Sequence, residues 1–77
     1  MIEQAKDLSR TTHKGQFDEN GQAYFDYLES IADACFFDEM KAVAYLQDAV
    51  EKSEGTVSIN EIRQKFGDEI GDAVDID

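Results

Sequence analysis

Glu39-Met40-Lys41-Ala42-Val43-Ala44-Tyr45-Leu46-Gln47-Asp48-Ala49-Val50-Glu51-Lys52 is the stretch that decides the fold. Met40, Ala42, Val43, Ala44, Tyr45, Leu46, Ala49 and Val50 leave it almost no solvated face. A helix that is apolar nearly all round is touched on several sides, so this segment, about Glu39 to Lys52, is expected to be the central helix of a bundle. Asp38 before it can cap the free N–H groups of its first turn, and Glu39 suits the positive end of its dipole. Gln47 and Asp48 interrupt the apolar run.

To the N-terminal side, a first helix is expected from about Ile2 to about His13, with Ile2, Ala5, Leu8 and Thr12 on one stripe and Glu3, Gln4, Lys6, Asp7 and Arg10 in water. Lys14 to Gly21 reads as a loop. Its Asn20-Gly21 pair could also seed a hairpin, but there are no flanking strand patterns. A second helix, about Gln22 to Cys35, repeats Phe25, Leu28, Ile31, Ala32 and Cys35 at helical spacing, with Asp26, Glu29, Ser30 and Asp33 on its other face.

To the C-terminal side, a loop with Gly55 leads to Ser58-Ile59-Asn60-Glu61, a capping box opening a helix from about Ile59 to Phe66. Gly67 fits a left-handed stop, and Asp68 can cap a last short helix carrying Ile70, Val74 and Ile76. With no proline and no two-residue alternation of any length, the fold class is all-α. The expected architecture is a compact bundle of about five helices forming one small domain over residues 1–77.

Seven basic residues against eighteen acidic ones give a formal charge of −11, which argues against direct binding to nucleic acid or an anionic membrane, since both need phosphate neutralisation. Cys35 is the sole cysteine and cannot form an internal disulfide, and Met1-Ile2-Glu3-Gln4 opens no cationic-then-apolar leader, so a cytoplasmic location is expected. Nothing approaches the roughly 20 apolar residues a membrane span needs.

Several segments follow a known layout in order: Ala5, His13-Lys14-Gly15-Gln16, Gly21-Gln22-Ala23-Tyr24-Phe25-Asp26-Tyr27, Leu46-Gln47-Asp48-Ala49-Val50-Glu51, and Ile62 to Val74. The chain resembles the N-terminal half of the HD-domain guanosine polyphosphate hydrolases of the RelA/SpoT type. That family shows a His-x-Gly-Gln segment, a Gly-x-Pro-Tyr-x-x-His turn into a helix, a Leu-Leu-His-Asp-x-Val-Glu-Asp core helix and a Phe-Gly-x-x-Val segment. The resemblance implies an HD-domain-like helical fold and a divalent ion, usually manganese, held by histidines, the aspartate of the His-Asp pair and a later aspartate.

The implied ligand positions are degenerate. Tyr27 stands where the turn histidine would be, Gln47 replaces the histidine of the pair, Asp48 is kept, and the later aspartate lies beyond the last residue. The acidic pair near the attacking water becomes Glu51 and Lys52. A glutamine carbonyl is a weak donor and a neutral tyrosine weaker still, so no metal is expected to stay, and with it go the activated water and the Lewis acid. The family's basic pair after His-x-Gly-Gln is replaced by Phe17-Asp18-Glu19, which repels a polyphosphate.

Plainer roles are expected for these residues. His13 ends a helix and satisfies its last carbonyls. Asp48 and Glu51, three apart on one face, are remnants, with Asp48 capping a loop or bonding a neighbouring backbone. Tyr27 and Gln47 hydrogen-bond one another across the old metal pocket. Cys35 is a small core residue. The acidic tail Asp68, Glu69, Asp72, Asp75 and Asp77 is a solvated face, lacking the spacing of a calcium loop. Phe17, Tyr24, Phe36 and Phe37 either mark an exposed contact surface or plug the core.

The sequence thus points to a non-catalytic, metal-free relative of the HD hydrolases that acts as a binding or regulatory module, with a protein partner or a second copy of itself. A second reading is a residual or altered metal-dependent phosphohydrolase acting on a nucleotide polyphosphate through Asp48 and Glu51, with manganese. A third is an acidic mimic of the nucleic-acid backbone, suggested by the charge of −11 although the carboxylates are spread over every expected helix.

Overall fold

Ala42, Ala44, Tyr45 and Leu46 are all buried in the computed structural model, which describes residues 1–75, and they put their helix at the centre of the molecule. The chain forms α1 (Ile2–Thr12), α2 (Tyr24–Asp33), α3 (Asp38–Leu46), α4 (Ala49–Lys52), α5 (Ile59–Phe66) and α6 (Asp68–Val74). α3 packs against α1, α2 and α6, α4 touches α1, and α5 and α6 pack on each other. This is the all-α bundle the periodicity predicts. No helix among the described residues is long and apolar enough to cross a membrane.

The main departure is in the central segment, where the single helix expected over Glu39 to Lys52 is two. Gln47 keeps helical angles (φ −56°, ψ −33°), but Asp48 leaves them at φ −110°, ψ 6°, and α4 starts afresh at Ala49. No glycine or proline causes the break. It coincides with a tertiary hydrogen bond to the Asp48 carboxylate, described below.

α1 is set by its buried residues. Ala5 and Ser9 face inward, followed one turn later by His13, while Leu8 is only half-buried. Ala5, Ile2 and Leu8 of the predicted stripe pack on the core as expected, and the inward face is widened by two polar residues, Ser9 and His13. In α2, Leu28 and Ala32 are buried as expected, with Phe25 and Ile31 packed against the core. A Lys6–Glu29 ion pair of 3.0 Å ties α1 to α2.

The α1–α2 connection is a tight hairpin-like turn rather than an open loop, because Phe17 and Ala23 form an isolated antiparallel bridge. Asp18 N–H donates to the Gln22 carbonyl at 2.8 Å and Tyr24 N–H to that of Gln16 at 2.9 Å. The Asp18 carboxylate accepts from the N–H groups of Asn20 and Gln22, closing the turn that Gly21 (φ 82°) completes.

Helix ends match the sequence in part. Ser58 Oγ accepts from Glu61 N–H at 3.1 Å, but the Glu61 carboxylate pairs with Lys65 at 3.1 Å, so only half the capping box forms. Asp38 and Asp68 lie inside the first turns of α3 and α6 and make no cap bond there; Phe37 and Gly67 hold the cap positions. Their carboxylates still favour the positive helix ends. Gly67 has the expected positive φ, 94°, but with ψ 162°, an extended conformation open essentially only to glycine rather than a left-handed helical stop. It ends α5 and begins α6 at one residue. Ile76 and Asp77 lie outside the described residues.

Candidate functional site

Asp48 sits at the break between α3 and α4, and its carboxylate accepts a hydrogen bond from the Tyr24 hydroxyl at the start of α2. Tyr24 is a half-buried donor wedged among neighbours. Its ring lies 4.9 Å from the His13 ring and 5.6 Å from that of Tyr27, and Lys52 Nζ stands 4.8 Å over its face. Burial first, then the Asp48 carboxylate beside it, pushes the Tyr24 phenol well above its ordinary value, so it stays a neutral donor.

Behind Tyr24 lies a second polar layer. His13 is 2% exposed, and its Nδ1 is 2.8 Å from Gln16 Oε1. The Gln16 amide nitrogen donates to the Thr12 carbonyl at 3.3 Å and the Lys52 carbonyl at 2.9 Å. Because that nitrogen is the donor end, Oε1 is an acceptor and His13 Nδ1 carries the proton, as the network assigns it. Among the described residues, the buried His13 Nε2 has no hydrogen-bond partner, and the buried Ser9 Oγ, one turn earlier, also lacks one.

The expected roles are redistributed accordingly. His13 does end α1, its backbone N–H donating to the Ser9 carbonyl at 2.9 Å, while the Gln16 amide takes the Thr12 carbonyl and also bridges to the end of α4. Asp48 bonds a side-chain hydroxyl rather than a loop or a backbone group. The predicted Tyr27–Gln47 hydrogen bond does not form: Tyr27 is 41% exposed beside Tyr24, while Gln47 is exposed and lines a groove between α2, α3 and α6. The hydroxyl that meets the kept aspartate comes from Tyr24, one helical turn before the position the resemblance indicates. In the sequence Tyr24 stands as the tyrosine of the matched turn segment and as one of four aromatics near loops, neither of which pairs it with Asp48; the need of a half-buried aspartate for a donor was the signal that could have found that pairing.

Glu51 is exposed, and with Glu54, Lys52, Phe17 and Gln16 it borders a shallow recess of about 400 Å³ against Tyr24. A neighbouring recess of about 480 Å³ adds Asp18 and Glu19. Four acids thus face these openings against Lys52. An incoming anion meets repulsion there.

A divalent ion at this position would need several nitrogen or carboxylate donors converging on one point. Asp48 offers one carboxylate, already bonded to Tyr24; Gln47 faces another surface; and among the described residues no three His, Cys, Asp or Glu side chains form a metal-holding group. The residues present do not fit the ion the resemblance implies. No family model, curated protein or solved structure matches the chain.

Phe17, Phe36 and Phe37 are exposed, Phe36 at 92%, so they mark surface rather than plug the core. Cys35 is half-buried and lines the α2–α3–α6 groove, with its thiol donating to the Ile31 carbonyl at 3.4 Å. Of the acidic tail, Asp68, Glu69, Asp72 and Asp75 are exposed, yet Asp72 pairs with Arg63 at 2.6 Å, with Asp68 and Asp75 at 3.9 and 3.8 Å.

Proposed function

We infer that the chain is a non-catalytic, metal-free relative of the HD-domain guanosine polyphosphate hydrolases, working as a small binding or regulatory protein whose partner is a protein. The observation that carries this reading is the Tyr24–Asp48 hydrogen bond. It uses the one kept carboxylate of the implied metal set to hold two helices together. Gln47 turns away from it, and Lys52, at the position of the second acid, caps the Tyr24 face with a positive charge. The residues beside Asp48 therefore pack and orient one another. The acids around the recess oppose a polyphosphate.

The alternative, a residual metal-dependent phosphohydrolase, draws on His13 Nε2, a buried ring nitrogen without a hydrogen-bond partner among the described residues, in a ring 4.9 Å from that of Tyr24. Calorimetric titration of manganese into chelator-treated protein, with Asp48→Ala as control and guanosine polyphosphate cleavage followed in parallel, separates the two. Our reading expects the same heat in both proteins and no cleavage. Saturable binding that Asp48→Ala abolishes, with turnover, overturns it.

A further inference from the structure

The groove between α2, α3 and α6 has an apolar floor that includes Ile31, Val43, Ala44 and Ile70, and a volume of about 390 Å³. Glu39 and Glu69 line it, no lysine or arginine does, and neither glutamate forms an ion pair among the described residues. Two cations are already engaged elsewhere: Lys41 Nζ donates to the Ala32 carbonyl at 2.9 Å, and Arg63 pairs with the exposed Asp72. Met40, 51% exposed, lines the groove, and the bare Phe36 and Phe37 lie in the connection between Cys35 and Glu39, both of which line it. An apolar patch rimmed by polar groups marks an interaction surface, and a methionine lets such a surface repack around its occupant.

The charge decides what fits. A second copy would set Glu39 and Glu69 against the same acids, with −11 on each chain. A cationic segment meets complementary charge instead. A channel walled by helices takes the apolar stripe of another helix, with anchors at helical spacing. We propose that the α2–α3–α6 groove docks an amphipathic helix of a partner protein, its leucine-like stripe on Ile31, Val43 and Ile70 and its lysines or arginines at Glu39 and Glu69. This rests on the reading of the chain as a binding module and specifies its surface.

The test is a leucine–lysine amphipathic peptide of about 18 residues, roughly five helical turns, titrated with chelator present at about 150 mM salt. The rate of Cys35 alkylation reports on the groove itself. Expected are saturable one-to-one binding and Cys35 alkylation slowed about tenfold at saturation. Met40→Lys combined with Glu39→Lys and Glu69→Lys weakens binding about tenfold or more, whereas Glu3→Lys with Glu19→Lys, outside the groove, weakens it less than about threefold. Unprotected Cys35, equal losses in the two variants, or a dimer already protecting Cys35 without peptide would each overturn the proposal. The groove shares no residue with the Tyr24–Asp48 contact and the chelator is present throughout. Manganese binding in the earlier titration therefore leaves this result intact, and failure here leaves the metal-free reading standing.

Discussion

Tyr24 holds the Asp48 carboxylate from 24 residues away, and the bond joins the start of α2 to the break between α3 and α4. Removing its hydroxyl in Tyr24→Phe leaves the ring against His13 and Lys52 but strips a half-buried carboxylate of its donor, a loss of about 1 to 3 kcal/mol in denaturant unfolding. The pH dependence has a definite sign. The phenol is raised in the folded state, so its contribution is fully present below the ordinary tyrosine value of 10.0 and is lost as pH rises through the folded value. Wild-type stability therefore falls more steeply above pH 10 than that of Tyr24→Phe; parallel curves would place the shift elsewhere. Tyr45, also raised by burial, is common to both proteins and drops out of the comparison.

Among the elements, α5 and α6 show how close packing overrides propensity. A Cβ on Gly71 would come 2.4 Å from Arg63 Cγ, with the Arg63 backbone also near at 3.5 Å. Gly71→Ala raises helix propensity by about 1 kcal/mol, yet it is expected to destabilise by about 1 to 3 kcal/mol because the helices must part. In an Arg63→Ala background, where Cγ is gone, the same change becomes neutral or stabilising, a sign reversal that a double-mutant cycle reads directly. The helices themselves were legible from spacing: the apolar run of α3, the Ser58 cap and the positive φ at Gly67 each follow from local chemistry. The break at Asp48 was not, because Ala49 and Val50 continue the helical pattern and the bond at the break comes from Tyr24, distant in sequence. Likewise, nothing local marks Ser9 and His13 as buried or Gln16 as the bridge between two helix ends, since polar residues after a helix read as loop.

Across the whole molecule, a net charge of −11 makes the folded chain repel itself. Screening should outweigh the weakening of the exposed Lys65–Glu61 and Arg10–Asp7 pairs. The urea midpoint is thus expected to rise between about 10 mM and about 0.5 M sodium chloride; a fall would mean that the ion pairs dominate. The same charge opposes anions at the recess beside Tyr24 and, on the function proposed above, suits a cationic protein partner better than a polyphosphate. The Tyr24 phenol, and no metal ion, is expected to hold the Asp48 carboxylate. The direct measurement is paramagnetic broadening of assigned NMR signals by manganese in wild type and Asp48→Asn. The His13 ring and Asp48 amide signals are expected to broaden no more than those of exposed acidic residues, and equally in both proteins; selective loss of those two signals at substoichiometric manganese, restored in Asp48→Asn, would instead put the ion at Asp48.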